Sequence, residues 1–82
     1  MLKVVTVKIE DIYVPTAHRK DMDQAEVDTI VDAMLEGEEQ KPIRVRHGKG
    51  RYVLIDGNHT LEASKAVGED TINTYIVQSR KF

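Results

Sequence analysis

The residues best suited to chemistry lie in one short segment that joins a predicted strand to a predicted helix. The segment reads Ile55-Asp56-Gly57-Asn58-His59-Thr60-Leu61-Glu62. A helix that begins directly after a strand and a glycine points its free backbone N–H groups and its positive end at one spot, which suits a phosphate or another anion. Gly57 lets the backbone approach a ligand closely, and Asn58 is a favourable N-cap. The segment therefore predicts a phosphate site; the alternative is an Asn that only caps the helix.

His59 is the candidate for proton transfer in this segment. It stands on the first turn of the predicted helix, where an imidazole can donate to a phosphate or act as an acid or base near neutral pH. Glu62 follows three residues later and is expected to orient the imidazole, unless the two are an ordinary surface pair. A metal site is disfavoured, because His18, His47 and His59 are far apart and no His-x-x-x-His spacing occurs.

Charge is segregated along the chain. From Asp21 to Glu39 there are eight acids and no Lys or Arg, and from Lys41 to Arg51 there are five bases and no acid. The acids at four-residue spacing form a solvated helix face, with a metal or a basic partner as the alternative. The bases form a patch that suits nucleic acid or an acidic partner, and edge-strand protection is the other explanation for them. The patch consists of Arg44, Arg46, Lys49 and Arg51.

Hydrophobic periodicity supplies the first elements that must position these residues. Alternation over residues 5–9 predicts a strand, and residues 10–22 form an irregular connection. A helix follows, because apolar residues recur at helical spacing after Asp23 and Glu26, which resemble a capping box. Gly37 ends this helix.

The second half of the chain predicts a hairpin, a helix and a strand. Residues 42–47 and 51–56 form the hairpin around a glycine-rich turn. Because residues 52–55 are apolar on both faces, the second hairpin strand is expected to lie centrally in the sheet. A short helix over 58–68 and a strand over 71–77 complete the order. These elements predict an α+β fold with a mixed sheet of about four strands and two main helices.

Composition limits the classes of protein that fit. The chain has 82 residues, which suits one small domain over residues 1–82. Twelve Lys and Arg against 14 Asp and Glu give a net charge of −2, which disfavours holding duplex DNA by phosphate contacts alone. The absence of Cys excludes disulfides, thiolate nucleophiles and Cys-ligated metals. No apolar run approaches the ~20 residues that cross a bilayer, so we expect a cytoplasmic protein without a membrane partner.

Four segments in combination resemble the fold shared by sulfiredoxins and the ParB-like N-terminal domains of partition proteins, a domain also described as a ParB-like nuclease. They are the Pro-x-x-x-Arg-Lys box at 15–20, the stretch 40–46, the stretch 52–59 and the stretch 63–72. The resemblance covers nearly the whole chain. It implies a nucleotide-phosphate pocket at the helix start after the central strand, roofed by the loop before the first long helix. Members of this superfamily bind and hydrolyse CTP, use ATP to repair an oxidised cysteine, phosphorylate free serine or act as nucleases.

The resemblance implies a set of site residues and a cofactor. The phosphate-binding candidates are Arg19, Lys20, Gly57, Asn58, His59 and Thr60, and the catalytic candidates are His59 and Glu62. The implied cofactor is a nucleoside triphosphate with Mg²⁺. The implied function is nucleotide-dependent or DNA-linked chemistry.

The chain departs from the family motifs at the positions that matter most. Asn58 and Thr60 stand where the sulfiredoxin motif Gly-Cys-His-Arg has its Cys and Arg, which excludes sulfiredoxin chemistry. His59 and Thr60 replace both arginines of the partition-protein motif Gly-Glu-Arg-Arg, and each lost guanidinium removes a bidentate phosphate clamp. Glu26 stands where sulfiredoxins have a nucleotide-contacting Lys.

Two other functions remain open from the sequence. The first is a non-enzymatic interaction module, in which the acidic helix and the basic hairpin are docking faces for a protein or DNA partner. The second is a metal-assisted nuclease that uses Asp56, His59 and Glu62.

Overall fold

The computed structural model describes residues 3–77 as a mixed five-stranded sheet with helices on one face. The strands are β1 (Val4–Lys8), β2 (Ile12–Tyr13), β3 (Ile43–His47), β4 (Tyr52–Asp56) and β5 (Thr71–Ile76). The helices are α1 (Thr16–Lys20), α2 (Gln24–Leu35) and α3 (Asn58–Ala66), and a 3-10 turn at Ile9–Asp11 joins β1 to β2. The sheet order is β1-β5-β3-β4-β2, with antiparallel β1/β5 and β3/β4 pairs and parallel β5/β3 and β4/β2 pairs.

The predicted α+β class is confirmed, but the sheet has one strand more than expected. The additional elements, β2 and α1, both lie in the connection that was expected to be irregular. β2 has two residues, too few for an alternating pattern to register in the sequence. Ile9 belongs to the 3-10 turn instead of the first strand, and it is buried there.

The hydrophobic core lies between the sheet and the helices. Val45, Leu54 and Leu61 are at most 1% exposed, and Ile43 and Val7 join them in one buried cluster. Burying apolar side chains of this size contributes about 1.5–3 kcal/mol each. Leu61 is the α3 residue in this cluster, so the first turns of α3 pack against the sheet close to the end of β4.

The predicted hairpin is confirmed, whereas edge-strand protection is the wrong explanation for its arginines. β3 is the central strand and pairs with β5 on one side and β4 on the other. A bulge lies between the Arg44–Asp56 and Val45–Leu54 pairs. β4 is an interior strand next to the centre, but Ile55 is 40% exposed, so its apolar run is not buried on both faces.

Helix α2 begins and ends where the sequence indicates. The Asp23 side chain accepts a hydrogen bond from the Ala25 N–H (3.0 Å), which makes Asp23 the N-cap. Gly37 follows the helix at φ +88°, a left-handed conformation that favours glycine. Val27 faces inward at 1% exposure, while Asp28 and Asp32 lie on the exposed side. Within residues 3–77, none of the helices has the length and apolar character needed to cross a membrane.

Candidate functional site

Gly57 makes the tight junction between β4 and α3. It is the N-cap of α3 at φ +102°, and a Cβ built on it would lie 2.7 Å from Ile43 Cβ. A side chain is therefore excluded twice, by backbone conformation and by space. The first hydrogen bond of α3 runs from the Leu61 N–H to the Gly57 carbonyl (2.9 Å). The N–H groups of residues 58, 59 and 60 consequently have no acceptor within the helix.

Asn58 does not cap α3, contrary to the sequence prediction. Gly57 takes that position, and Asn58 is the first helical residue, 8% exposed. Its side-chain amide donates a hydrogen bond to the carbonyl of His18. Asn58 therefore ties α1 to the start of α3, which places α1 beside the predicted phosphate site.

His59 connects α3 to the beginning of α2. Its Nε2 accepts a hydrogen bond from the Asp23 N–H (3.0 Å), and its Nδ1 lies 3.1 Å from Glu26 Oε2. Nε2 therefore carries no proton, and Nδ1 donates to the carboxylate. In a capping box, the Glu26 carboxylate would itself accept from the Asp23 N–H. Here the imidazole is inserted between these two groups and satisfies both.

Glu26, and not Glu62, is the carboxylate beside the imidazole. Glu62 lies 3.9 Å from Lys65 Nζ and faces a neighbouring cleft of about 390 Å³ that Arg19 also lines. The signal for Glu26 was present in the sequence, because the third position of α2 is where a capping box points its carboxylate back toward the helix start. Sequence reasoning placed that carboxylate in the helix cap and in the implied nucleotide site, and missed its contact with His59.

The first turn of α3 opens on a cavity of about 330 Å³. It is lined by His18, Asp21, Glu26, Ile30, Asp56, Gly57, Asn58, His59 and Thr60. Among these residues there are three carboxylates and two imidazoles but no Lys or Arg. We call this space the α3 cavity. Its electrostatics are the reverse of those expected for a site that holds phosphate by direct cationic contacts.

Two basic residues, Arg19 and Lys20, are among the predicted phosphate-binding residues, but they lie beside the α3 cavity and do not line it. Arg19 lines the neighbouring cleft together with Asn58, and Lys20 is exposed at the end of α1. The structure thus brings Gly57, Asn58 and His59 together around one cavity and leaves Arg19 on the other side of Asn58.

The four residues of the predicted basic patch lie around the hairpin. Arg44 and Arg46 point away from the core, and Arg46 Nη1 donates to the His47 carbonyl (3.3 Å). The Arg51 guanidinium carbon lies 4.1 Å from the centroid of the Tyr13 ring. Lys49 is exposed in the turn between the strands. Sequence reasoning did not identify Tyr13 as a neighbour of this patch, because the Tyr13–Arg51 contact requires β2, which the sequence did not predict.

No group of three or more His, Cys, Asp or Glu side chains within residues 3–77 is arranged to hold a metal ion. The carboxylates of the α3 cavity do not form a metal site from protein groups alone. A divalent cation at this position requires additional oxygen ligands from a bound molecule.

Solved structures with this fold include proteins that carry nucleotides. A sulfiredoxin from Arabidopsis thaliana matches with a TM-score of 0.81 and 28% sequence identity, over 94% of this chain and 86% of the other. The chromosome-partitioning protein ParB from Caulobacter crescentus, complexed with CTP-γ-S, gives 0.81 and 17% over 96% and 46%. A free serine kinase in complex with AMP gives 0.74 and 18% over 90% and 30%. The chain thus spans less than half the length of the last two proteins.

No curated protein matches the sequence. The family model described as the ParB N-terminal domain matches residues 1–81, nearly the whole chain. The strand order, the glycine junction after β4 and this match agree with the resemblance indicated by the motifs. The chain therefore belongs to the ParB N-terminal domain family.

Proposed function

We propose that this domain binds a nucleoside phosphate at the first turn of α3, as a complex with Mg²⁺. The observation that carries the proposal is the set of three N–H groups, at residues 58–60, that lack helical acceptors beside a cavity of about 330 Å³. Such a helix start is a favourable position for phosphate oxygens. The CTP-γ-S and AMP complexes of proteins with the same fold support it.

Mg²⁺ enters the proposal because of the charges that line the cavity. Asp21, Glu26 and Asp56 would repel a bare triphosphate, and Lys or Arg is missing from the lining residues. Mg²⁺ is bound in proteins by one or two carboxylates together with phosphate oxygens and water. The donor set of the cavity fits that requirement, so these carboxylates would hold the ion only when a phosphate is present. When bound, Mg²⁺ supplies neutralisation of the phosphate charge.

The site residues divide into two roles in this proposal. Gly57 and the N–H groups that follow it face the phosphate, and Thr60 adds a hydroxyl to the same turn. Asn58 and His59 hold the neighbouring elements α1 and α2 in place around it. A catalytic role for His59 and Glu62 stays a prediction, as does a location in the cytoplasm.

The test is a thermal-shift panel with ATP, CTP, GTP, ADP and inorganic phosphate, each with and without Mg²⁺. A ligand at ~100 times its dissociation constant stabilises the folded state by ~2.7 kcal/mol, which is several degrees for a domain of this size. We expect one nucleotide to shift the midpoint clearly more with Mg²⁺ than without it, and His59→Ala to reduce the shift. His47→Ala is the matched control, because His47 lies on β3 and outside the α3 cavity lining. If none of the nucleotides shifts the midpoint, the proposal is wrong.

The second candidate function is a non-enzymatic interaction module. The observation that favours it is again the α3 cavity, whose lining lacks the Lys and Arg side chains of a phosphate clamp. In that case the acidic face of α2 and the basic patch on the hairpin are the functional surfaces. The metal-assisted nuclease is less well supported, because Glu62 faces a different cleft from Asp56 and His59.

A further inference from the structure

The face of the sheet opposite the helices is a separate surface with its own chemistry. Along β3 its residues alternate with the buried Ile43 and Val45, and the register of β1 and β5 places further residues beside them. We call this surface the open sheet face. It carries Val4, Thr6, Arg44, Arg46, Asn73 and Tyr75.

Tyr75 occupies the middle of a row that crosses three strands. Its register partners are Val4 on β1 and Arg44 on β3. Adjacent strands lie about 4.8 Å apart, so the half-buried ring has an aliphatic side chain on one side and a guanidinium on the other. Arg46 follows on the same face of β3, about 6.6 Å further along the strand. The Tyr75 ring therefore stands beside one arginine, Arg44, and a second arginine follows along the same strand.

A second aromatic–arginine pair lies on the same face at the β2 edge. Val53 is in register with both Arg46 and Tyr13, so these three residues form a second row. The Arg51 guanidinium carbon lies 4.1 Å from the centroid of the Tyr13 ring, a cation–π contact between two exposed residues. Each of the two rows therefore contains one tyrosine and one arginine.

A cleft joins this face to the start of α3. It has a volume of about 440 Å³, and its lining includes Lys41, Arg44, Asp56, Gly57, Thr60 and Tyr75. Asp56 is the register partner of Arg44 and is the single carboxylate among the residues that line the cleft. The cleft is therefore large enough for a ring and carries two cations against one anion, unlike the α3 cavity.

We propose that the open sheet face binds single-stranded nucleic acid, with one base stacked on Tyr75 and flanking phosphates paired with Arg44 and Arg46. Unpaired bases stack on aromatic side chains and on guanidinium planes, while a positively charged surface follows the backbone. Duplex DNA is a poor fit, because its major groove admits a helix or a two-stranded ribbon and its bases are stacked on one another. An acidic protein would pair with the arginines, but the tyrosine rings beside them would have no role in its binding. This proposal is independent of nucleotide binding in the α3 cavity.

The test is fluorescence anisotropy with labelled single strands of about 12 nucleotides, a length within the range that single-strand-binding folds cover. DNA and RNA strands of the same sequence show which of the two the surface prefers. Tyr75→Leu keeps an apolar side chain and removes the stacking surface, so we expect the affinity to fall about fivefold or more. Arg44→Gln should weaken binding several-fold and lower the salt slope by about 0.7 between ~50 and ~200 mM salt.

Lys65→Gln is the matched control, because it removes one exposed cation from α3 on the helical side of the sheet. It should change the affinity less than twofold. Thermal unfolding shows whether each variant is folded. If Tyr75→Leu does not fold, Arg44→Gln alone tests the proposal, because Arg44 is exposed.

Three results would overturn the proposal. The first is no binding of either strand at low salt. The second is equal weakening by Arg44→Gln and Lys65→Gln, which would mean unspecific attraction. The third is binding of a Glu-rich peptide in place of the oligonucleotides, which would identify an acidic protein as the partner.

Discussion

The α3 cavity and the open sheet face offer opposite solutions to binding a phosphorylated ligand. The cavity has three carboxylates and no Lys or Arg among its lining residues, and its key side chains Asn58 and His59 are held by hydrogen bonds to other elements. The open sheet face has arginines beside exposed or half-exposed tyrosines. The α3 cavity needs an added cation to bind phosphate. The open sheet face has cations of its own, the arginine side chains.

This difference gives the two regions different responses to ions. A phosphate bound through arginines on an open surface is screened by salt, so its affinity falls steeply as ionic strength rises. A phosphate held by N–H groups and Mg²⁺ in a cavity depends on the divalent ion and less on monovalent salt. Mutations that change one region and spare the other can therefore separate the two.

The largest effect is expected for Gly57→Ala at the α3 cavity. The left-handed backbone costs about 1–2 kcal/mol for a residue with a Cβ, and forcing that Cβ against Ile43 costs about 1–3 kcal/mol more. Gly50→Ala is the matched control on the hairpin, where φ is +68° and nothing lies within 4 Å of the added Cβ. Urea unfolding should show a loss near ~1 kcal/mol for the control and at least twice that for Gly57→Ala. Equal losses would contradict the tight junction at Gly57.

Asn58→Ala should have the next largest effect on stability. It removes a buried amide and leaves the His18 carbonyl without its donor, which costs about 1–3 kcal/mol. Asn73→Ala on the open sheet face is the control, because the Asn73 amide accepts from Thr6 Oγ1 at an exposed position. We expect the control to lose less than ~1 kcal/mol in the same unfolding experiment. A larger loss for Asn73→Ala would reverse the comparison.

His59→Ala removes the side chain that completes the cap of α2. Loss of a helix cap costs about 0.5–2 kcal/mol, and water can replace part of it because the imidazole is 26% exposed. Hydrogen exchange should accelerate at the Asp23 amide, which donates to this imidazole, and not at amides of β3. Unchanged exchange at Asp23 would mean that His59 does not cap α2 in solution.

The sequence was sufficient for the longer elements, but not for the short elements β2 and α1 or for the contacts between elements. The strand and helix patterns at α2, the hairpin and α3 were confirmed because each depends on local periodicity and on glycine positions. The Glu26–His59 contact was missed because two residues 33 positions apart meet only when α2 packs on α3. The central position of β3 was also missed, since a hairpin pattern does not reveal which other strand joins it.

Glu26→Gln should give the smallest effect on stability and the most informative effect on binding. The amide oxygen can still accept from His59 Nδ1, while one negative charge leaves the cavity. A unit charge at ~4 Å is worth ~1 kcal/mol in water, so nucleotide affinity without Mg²⁺ should rise up to about fivefold. Asp32→Asn, an exposed substitution on the same helix, is the matched control. Isothermal titration measures the nucleotide affinity of both variants. A lower affinity of Glu26→Gln without Mg²⁺ would contradict the assigned electrostatics.

The most direct test of the comparison is an NMR titration of the ¹⁵N-labelled domain with two ligands in turn. Mg²⁺ with the nucleotide selected by the thermal-shift panel should move the amide signals of residues 57–60, and removal of Mg²⁺ should reverse the change. A single-stranded oligonucleotide should move the signals of Arg44, Arg46 and Tyr75, with a response that disappears as salt is raised. If neither ligand moves residues 57–60, or if the nucleotide binds equally well without Mg²⁺, the account of the α3 cavity is wrong.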